Sequence, residues 1–129
     1  MRKILTIIIS ITILISCKSV DTDSGCNENL KFKDSFFSHI KYIQQNVTNV
    51  QDSTFIKSVI FISNYAPVST DNIMNYVRSY PLGIFKQDHE KWLEWYEENR
   101  CRNIQFKSEY VIPEVYKDVY EAEHLYIPN

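Results

Sequence analysis

Asp52-Ser53-Thr54-Phe55-Ile56-Lys57-Ser58-Val59-Ile60-Phe61-Ile62-Ser63-Asn64-Tyr65 is the stretch on which the fold turns. It is rich in β-branched residues, which favour a strand. Yet about 13 residues run without Gly or Pro, longer than the usual strand of roughly 5–6 residues. Length decides for a helix that begins at an Asp52 or Ser53 cap and reaches about Tyr65. Its apolar set of Phe55, Ile56, Val59, Ile60, Phe61 and Ile62 covers most of the circumference. Such breadth predicts a central helix with little exposed face.

Upstream, Phe36, Ile40, Ile43 and Val47 recur at i, i+4, i+7 and i+11, one face of a helix over about 30–47. Downstream, Pro67 ends the central helix. Ser69 or Thr70 then starts a third, with Ile73, Tyr76, Val77 and Tyr80 on one face. Pro81-Leu82-Gly83 reads as the turn that stops it. A fourth helix is expected from near Asp88 to Arg100, with Trp92, Leu93 and Tyr96 as its buried stripe. Asp88 and Glu90 suit the positive end of its dipole. Asn103 to Ile112 reads as extended. Pro113 is placed to open a fifth helix through Val115, Tyr116, Val119 and Tyr120 to about Leu125.

Composition agrees with an all-α array. The chain has 129 residues, enough for one domain, and a formal net charge of −2. Its 2 Gly leave little material for hairpin turns, so a many-stranded sandwich or barrel is excluded, as is a glycine-rich phosphate loop. A bland charge argues against a nucleic-acid partner. Its 3 Cys cannot build a cysteine-only zinc site.

The N-terminus reads as an address. Arg2 and Lys3 precede an uncharged run of Ile, Leu, Ser and Thr from Ile4 to Ser16. A helix of that length spans about 20 Å, short of the roughly 30 Å hydrocarbon core of a bilayer. It is a signal-peptide core rather than a membrane span.

Leu14-Ile15-Ser16-Cys17 resembles the bacterial lipobox, although Ile15 is larger than the residue usual there. That resemblance implies a diacylglyceryl thioether on Cys17 and cleavage between Ser16 and Cys17. It also implies a bacterial cell-envelope location. Lys18, where Asp would resemble an inner-membrane retention signal, points to the outer membrane. More than one acyl chain is needed for stable anchoring. Residues 1–16 are thus the signal peptide, 17–26 the lipidated cysteine and a polar tether, and 27–129 a compact array of four to five short helices. More broadly, the chain looks like the small lipoproteins of Gram-negative bacteria.

Cys26 and Cys101 are the only thiols left after lipidation, in an oxidising compartment. Joined, they would close a loop of about 75 residues, worth roughly 4 kcal/mol in the chain-entropy model. The alternative is two unpaired thiols.

Candidate chemistry is sparse. His89-Glu90-Lys91-Trp92-Leu93 begins like a zinc-protease motif but lacks the second histidine, and His39 and His124 are distant in sequence. Glu90, Glu94, Glu97 and Glu98 form a solvated face or an acid–base cluster. Asp52-Ser53-Thr54 resembles an O-glycosylation acceptor of bacterial periplasmic proteins, and a helix cap explains it equally well. Phe85-Lys86-Gln87-Asp88 followed by Trp92-Leu93-Glu94-Trp95-Tyr96-Glu97-Glu98-Asn99 loosely resembles the closing helix of some bacterial HEAT-like modules, which implies fold and not activity.

Trp92 and Trp95 cannot both point inward with Tyr96, so part of the Trp92, Trp95, Tyr96 group is expected at the surface as a binding patch, Trp95 foremost. The alternative is partial burial at the core's rim. No catalytic residue, metal or cofactor is assigned. The expected function is a lipid-anchored, non-enzymatic module that binds a protein partner, of accessory, inhibitor or immunity type. The alternative is an envelope enzyme or glycan binder using residues 85–100.

Overall fold

The computed structural model describes residues 25–73, 79–123 and 125–127. Helix α1 spans Leu30–Asn46, α2 Ser53–Ser63, α3 Leu82–Asn99 and α4 Lys117–Ala122, with single 3₁₀ turns at Thr70–Asn72 and Glu114–Tyr116. No strand occurs among the described residues, and no described helix is long and apolar enough to cross a membrane. The chain is all-α, as the periodicity implies.

Helix α1 starts at Asn29, whose side chain accepts from the Phe32 amide at 3.1 Å. Its buried face is Phe32, Phe36, Ile40 and Ile43, continued by Val47 just past its end. Asp52 caps α2 by accepting from the Phe55 amide at 2.7 Å, and it also takes the Tyr42 hydroxyl at 2.8 Å. All six apolar residues expected in the core of α2 are buried, and Ser58 with them. An eleven-residue helix with seven buried side chains must be wrapped by other elements, and α1, α3 and the C-terminal segment wrap it.

Two expectations fail in the middle of the chain. Helix α3 begins at Leu82, not near Asp88. Pro81 does not end a helix; it caps one, and its carbonyl accepts the first helical bond, from Phe85, at 2.9 Å. A fixed φ and a missing N–H cost nothing where the helix needs neither donor nor turn. Gly83 consequently lies in the first turn with no neighbour within 4 Å of an added Cβ and no positive φ. Gly83→Ala is expected to raise the unfolding free energy by about 0.4–1 kcal/mol, read as a higher urea midpoint at unchanged slope. Of the expected third helix, the described residues hold the turn at Thr70–Asn72 and the buried Ile73 and Tyr80, and Tyr76 and Val77 lie outside them. Leu93 is 37% exposed, so the buried stripe of α3 is Asp88, Trp92 and Tyr96 instead.

The irregular 67–73 segment is fastened by three buried side chains, Trp92, Asp88 and Gln51. Trp92 Nε1 donates to the Pro67 carbonyl at 2.8 Å. Asp88 accepts from the Ser69 amide at 2.8 Å, the Ser69 hydroxyl at 2.7 Å and the Tyr80 hydroxyl at 2.6 Å. Gln51 donates to the Ile73 carbonyl at 3.1 Å and accepts from Tyr116 at 2.7 Å. Burial, then the Asp88 carboxylate, pushes the Tyr80 phenol far up. Every buried side-chain polar atom among the described residues has a partner, as a folded interior requires.

The stretch 103–112, expected to be extended, forms neither helix nor strand and bends at 108–109. Asn103, at φ 50°, turns the chain out of α3, in the left-handed region that asparagine tolerates. Side chains then stand where a neighbouring strand would. Asn29 donates to the Ile104 carbonyl at 2.8 Å, and the Tyr65 oxygen accepts from the Lys107 amide at 2.9 Å. Asn64 accepts from the Val111 amide at 2.8 Å and donates to the Val111 carbonyl at 2.9 Å.

Candidate functional site

Ser16 and Cys17 lie outside the described residues, as does His124. Cys26 and Cys101 are joined in a disulfide. The pair stands at the entry of the domain, next to an isolated parallel bridge between Asn27 and Arg102. Glu28 completes this corner. It accepts from Tyr96 at 2.8 Å and sits 3.3 Å from Lys33 Nζ and 3.9 Å from an Arg100 nitrogen. The Tyr96 hydrogen bond, helped by the two cations, holds the Glu28 carboxyl below its usual range.

The expected aromatic binding patch does not form. Trp92 and Tyr96 are buried, and Trp95 is half-buried against Phe36 and Phe32, with ring centroids 5.4 and 6.4 Å away. The indole N–H of Trp92 is spent on Pro67 and the Tyr96 hydroxyl on Glu28. Trp95 and Tyr96 pack on the phenylalanines of α1, while Trp92 packs on Tyr80 and Phe85. Glu90, Glu94, Glu97 and Glu98 are all exposed, a solvated face. His89 leans on Phe85 and Trp92. Among the described residues, no group of three His, Cys, Asp or Glu could hold a metal ion.

The fold also brings His39 and Ser58 together, Nδ1 to Oγ at 3.0 Å. Ser58 Oγ donates its proton to the Thr54 carbonyl at 2.9 Å, so it accepts from His39. It is also 1% exposed. A buried serine whose proton already points into the backbone is not an attacking group. Burial pushes the His39 imidazole down to about 4.

That shift makes a stability prediction. The unfolded imidazole, near 6.5, binds a proton before the folded one does. Stability is therefore complete above about pH 6.5, falls as pH drops, and levels off below about pH 4, a loss of about 3 kcal/mol. His39→Asn should flatten this slope in urea titrations run between those limits.

The surface most open to a partner was not legible in the sequence. It lies on the C-terminal segment. Val111 is 76% and Tyr126 72% exposed. Tyr126 faces outward because Leu125 and Ile127 on either side are buried, the alternation of an extended tail. Between them, half-buried Tyr120 forms a wall of two adjoining depressions. One is lined by Glu109, Tyr110 and Tyr126 among others, the next by Val111, Ile112 and Glu121. Val111 also borders a third depression, beside Ala66, Pro67 and Pro113. Aromatic and apolar groups in shallow, open hollows suit a polypeptide better than a small substrate. Comparison with family models, curated proteins and solved structures finds no match to this chain.

Proposed function

We propose that this protein is a lipoprotein of the bacterial cell envelope, held in the outer membrane by Cys17, and that it works by binding a partner protein rather than by turnover. Tied to lipid, the domain meets its partner at a raised local concentration, so a modest affinity suffices. The observation that carries the reading is Cys17 itself, at the end of a 13-residue apolar run and behind Leu14-Ile15-Ser16. The clipped corner at Cys26 and Cys101 supports it, because it gives a tether a firm point of entry. The open aromatic surface of residues 108–127 supports occupancy as the mechanism. The partner-binding role thus moves from Trp92, Trp95 and Tyr96 to Val111, Tyr120 and Tyr126.

Fractionation of cells producing the full chain tests the anchor. The native protein is expected in the membrane pellet with label from radioactive palmitate, and Cys17→Ser is expected to take up none. Cys17→Ser protein that is labelled as strongly as the native chain would remove the Cys17 lipid from the account.

A further inference from the structure

We infer that the Val111, Tyr120 and Tyr126 surface takes a basic, apolar segment of a partner protein; this rests on the reading of that surface as a docking site. Charge decides the occupant. Residues 109–123 carry five carboxylates and one lysine, a net charge of −4. Residues 17–129 carry 16 acidic and 12 basic side chains, also −4. The same net −4 stands on residues 88–98, so what sets this segment apart is that its carboxylates adjoin Val111 and Tyr126, the most exposed large apolar side chains among the described residues. Glu109, Glu114, Asp118, Glu121 and Glu123 are all exposed, and the one local cation, Lys117, is engaged by Glu114. Glu109 and Glu121 line the two hollows that share Tyr120.

Hollows walled by Tyr120, Tyr126, Val111 and Ile112, with Glu109 at one and Glu121 at the other beside the ion-paired Lys117, favour lysine- or arginine-bearing chains through complementary potential. A second copy would set −4 against −4 across a self-complementary face. Anionic lipid and nucleic acid are repelled for the same reason. An amphipathic basic peptide places side chains in the hollows and cations at the rim.

The test uses the mature chain, residues 17–129, with Cys17→Ser so that it carries neither lipid nor apolar leader, and two synthetic twelve-residue peptides. One alternates Lys with Leu and Tyr; the other has Glu in place of each Lys. Amide shifts are followed by NMR. The Lys peptide is expected to move signals within residues 108–127. Its Kd should weaken at least tenfold in Glu109→Lys/Glu121→Lys, and by a similar factor between 50 and 300 mM salt. Val111→Ser/Tyr126→Ser, at two exposed positions, should weaken it without altering the remaining spectrum. If the Glu peptide binds the same residues as tightly, the basic-partner inference falls and the docking surface stands. If neither peptide binds, if shifts map elsewhere, or if the protein sediments as a dimer through this face, both fall. The anchor, tested by fractionation, is independent of all these outcomes.

Discussion

Asp88→Ala is expected to destabilise the domain by about 3–5 kcal/mol, the sum of roughly 1–3 kcal/mol for each buried donor left without an acceptor. Asp88 has no solvent exposure and lies in mid-helix, where nothing but tertiary contacts can hold a carboxylate. It accepts from the Ser69 amide, the Ser69 hydroxyl and Tyr80, all within 2.8 Å. Alanine strands these donors away from water, at about 1–3 kcal/mol for each that finds no substitute. The Ser69 hydroxyl, at a half-buried position, can turn to solvent; Tyr80 cannot. Lys91 adds little, since its amine is 3.9 Å away and more than half exposed. Asp88→Asn keeps one carbonyl oxygen but turns an amide N–H₂ toward a donor, so it should lose about half as much. Ser69→Ala, which deletes only the hydroxyl, should lose about 1 kcal/mol. Urea unfolding gives the three values. A loss under about 1 kcal/mol for Asp88→Ala would mean that the network does not hold the 67–80 region in place.

Cys26→Ser/Cys101→Ser is expected to lower stability by about 4 kcal/mol, through the loop of 75 residues that the bond closes in the unfolded chain. For a domain of this size that is a fall of roughly 15–30 °C in Tm. Thermal unfolding of native and doubly substituted protein, both without reductant, measures it. The native contacts of the corner, Glu28 with Tyr96, Lys33 and Arg100, remain in the variant. They are exposed or half-exposed ion pairs around one hydrogen bond, worth far less than the crosslink. Equal Tm values would show the two thiols unpaired in the protein as made.

The legible part of this fold was the part set by local sequence. Helices α1 and α2 follow from helical spacing and, for α2, from the Asp52 cap, because their burial faces inward against one another; the Asn29 cap of α1 was not read from the sequence. Helix α3 was legible only in its second half. Pro81-Leu82-Gly83 carries the residues of a turn, and nothing local distinguishes a proline that ends one helix from a proline that starts another. Asp88 looked like a dipole partner at a helix start. A signal to the contrary was present: Asp88 precedes Trp92 by four and Tyr96 by eight residues, which places it on the aromatic face. Its ligands, Ser69 and Tyr80, are tertiary and leave no spacing to read. The docking surface was hidden for a related reason. Val111 and Tyr126 look like core residues by type, and they are held outward only because Asn64 fixes the Val111 backbone and Leu125 and Ile127 bury the tail.

The measurement that bears most directly on the whole account is the intact mass of the chain purified from native membranes. The predicted mass is that of residues 17–129 with one disulfide and a thioether-linked diacylglyceryl group on Cys17, with or without a further N-terminal acyl chain. A chain that retains Met1, or one cut before Cys17 that carries no acyl mass, would contradict it.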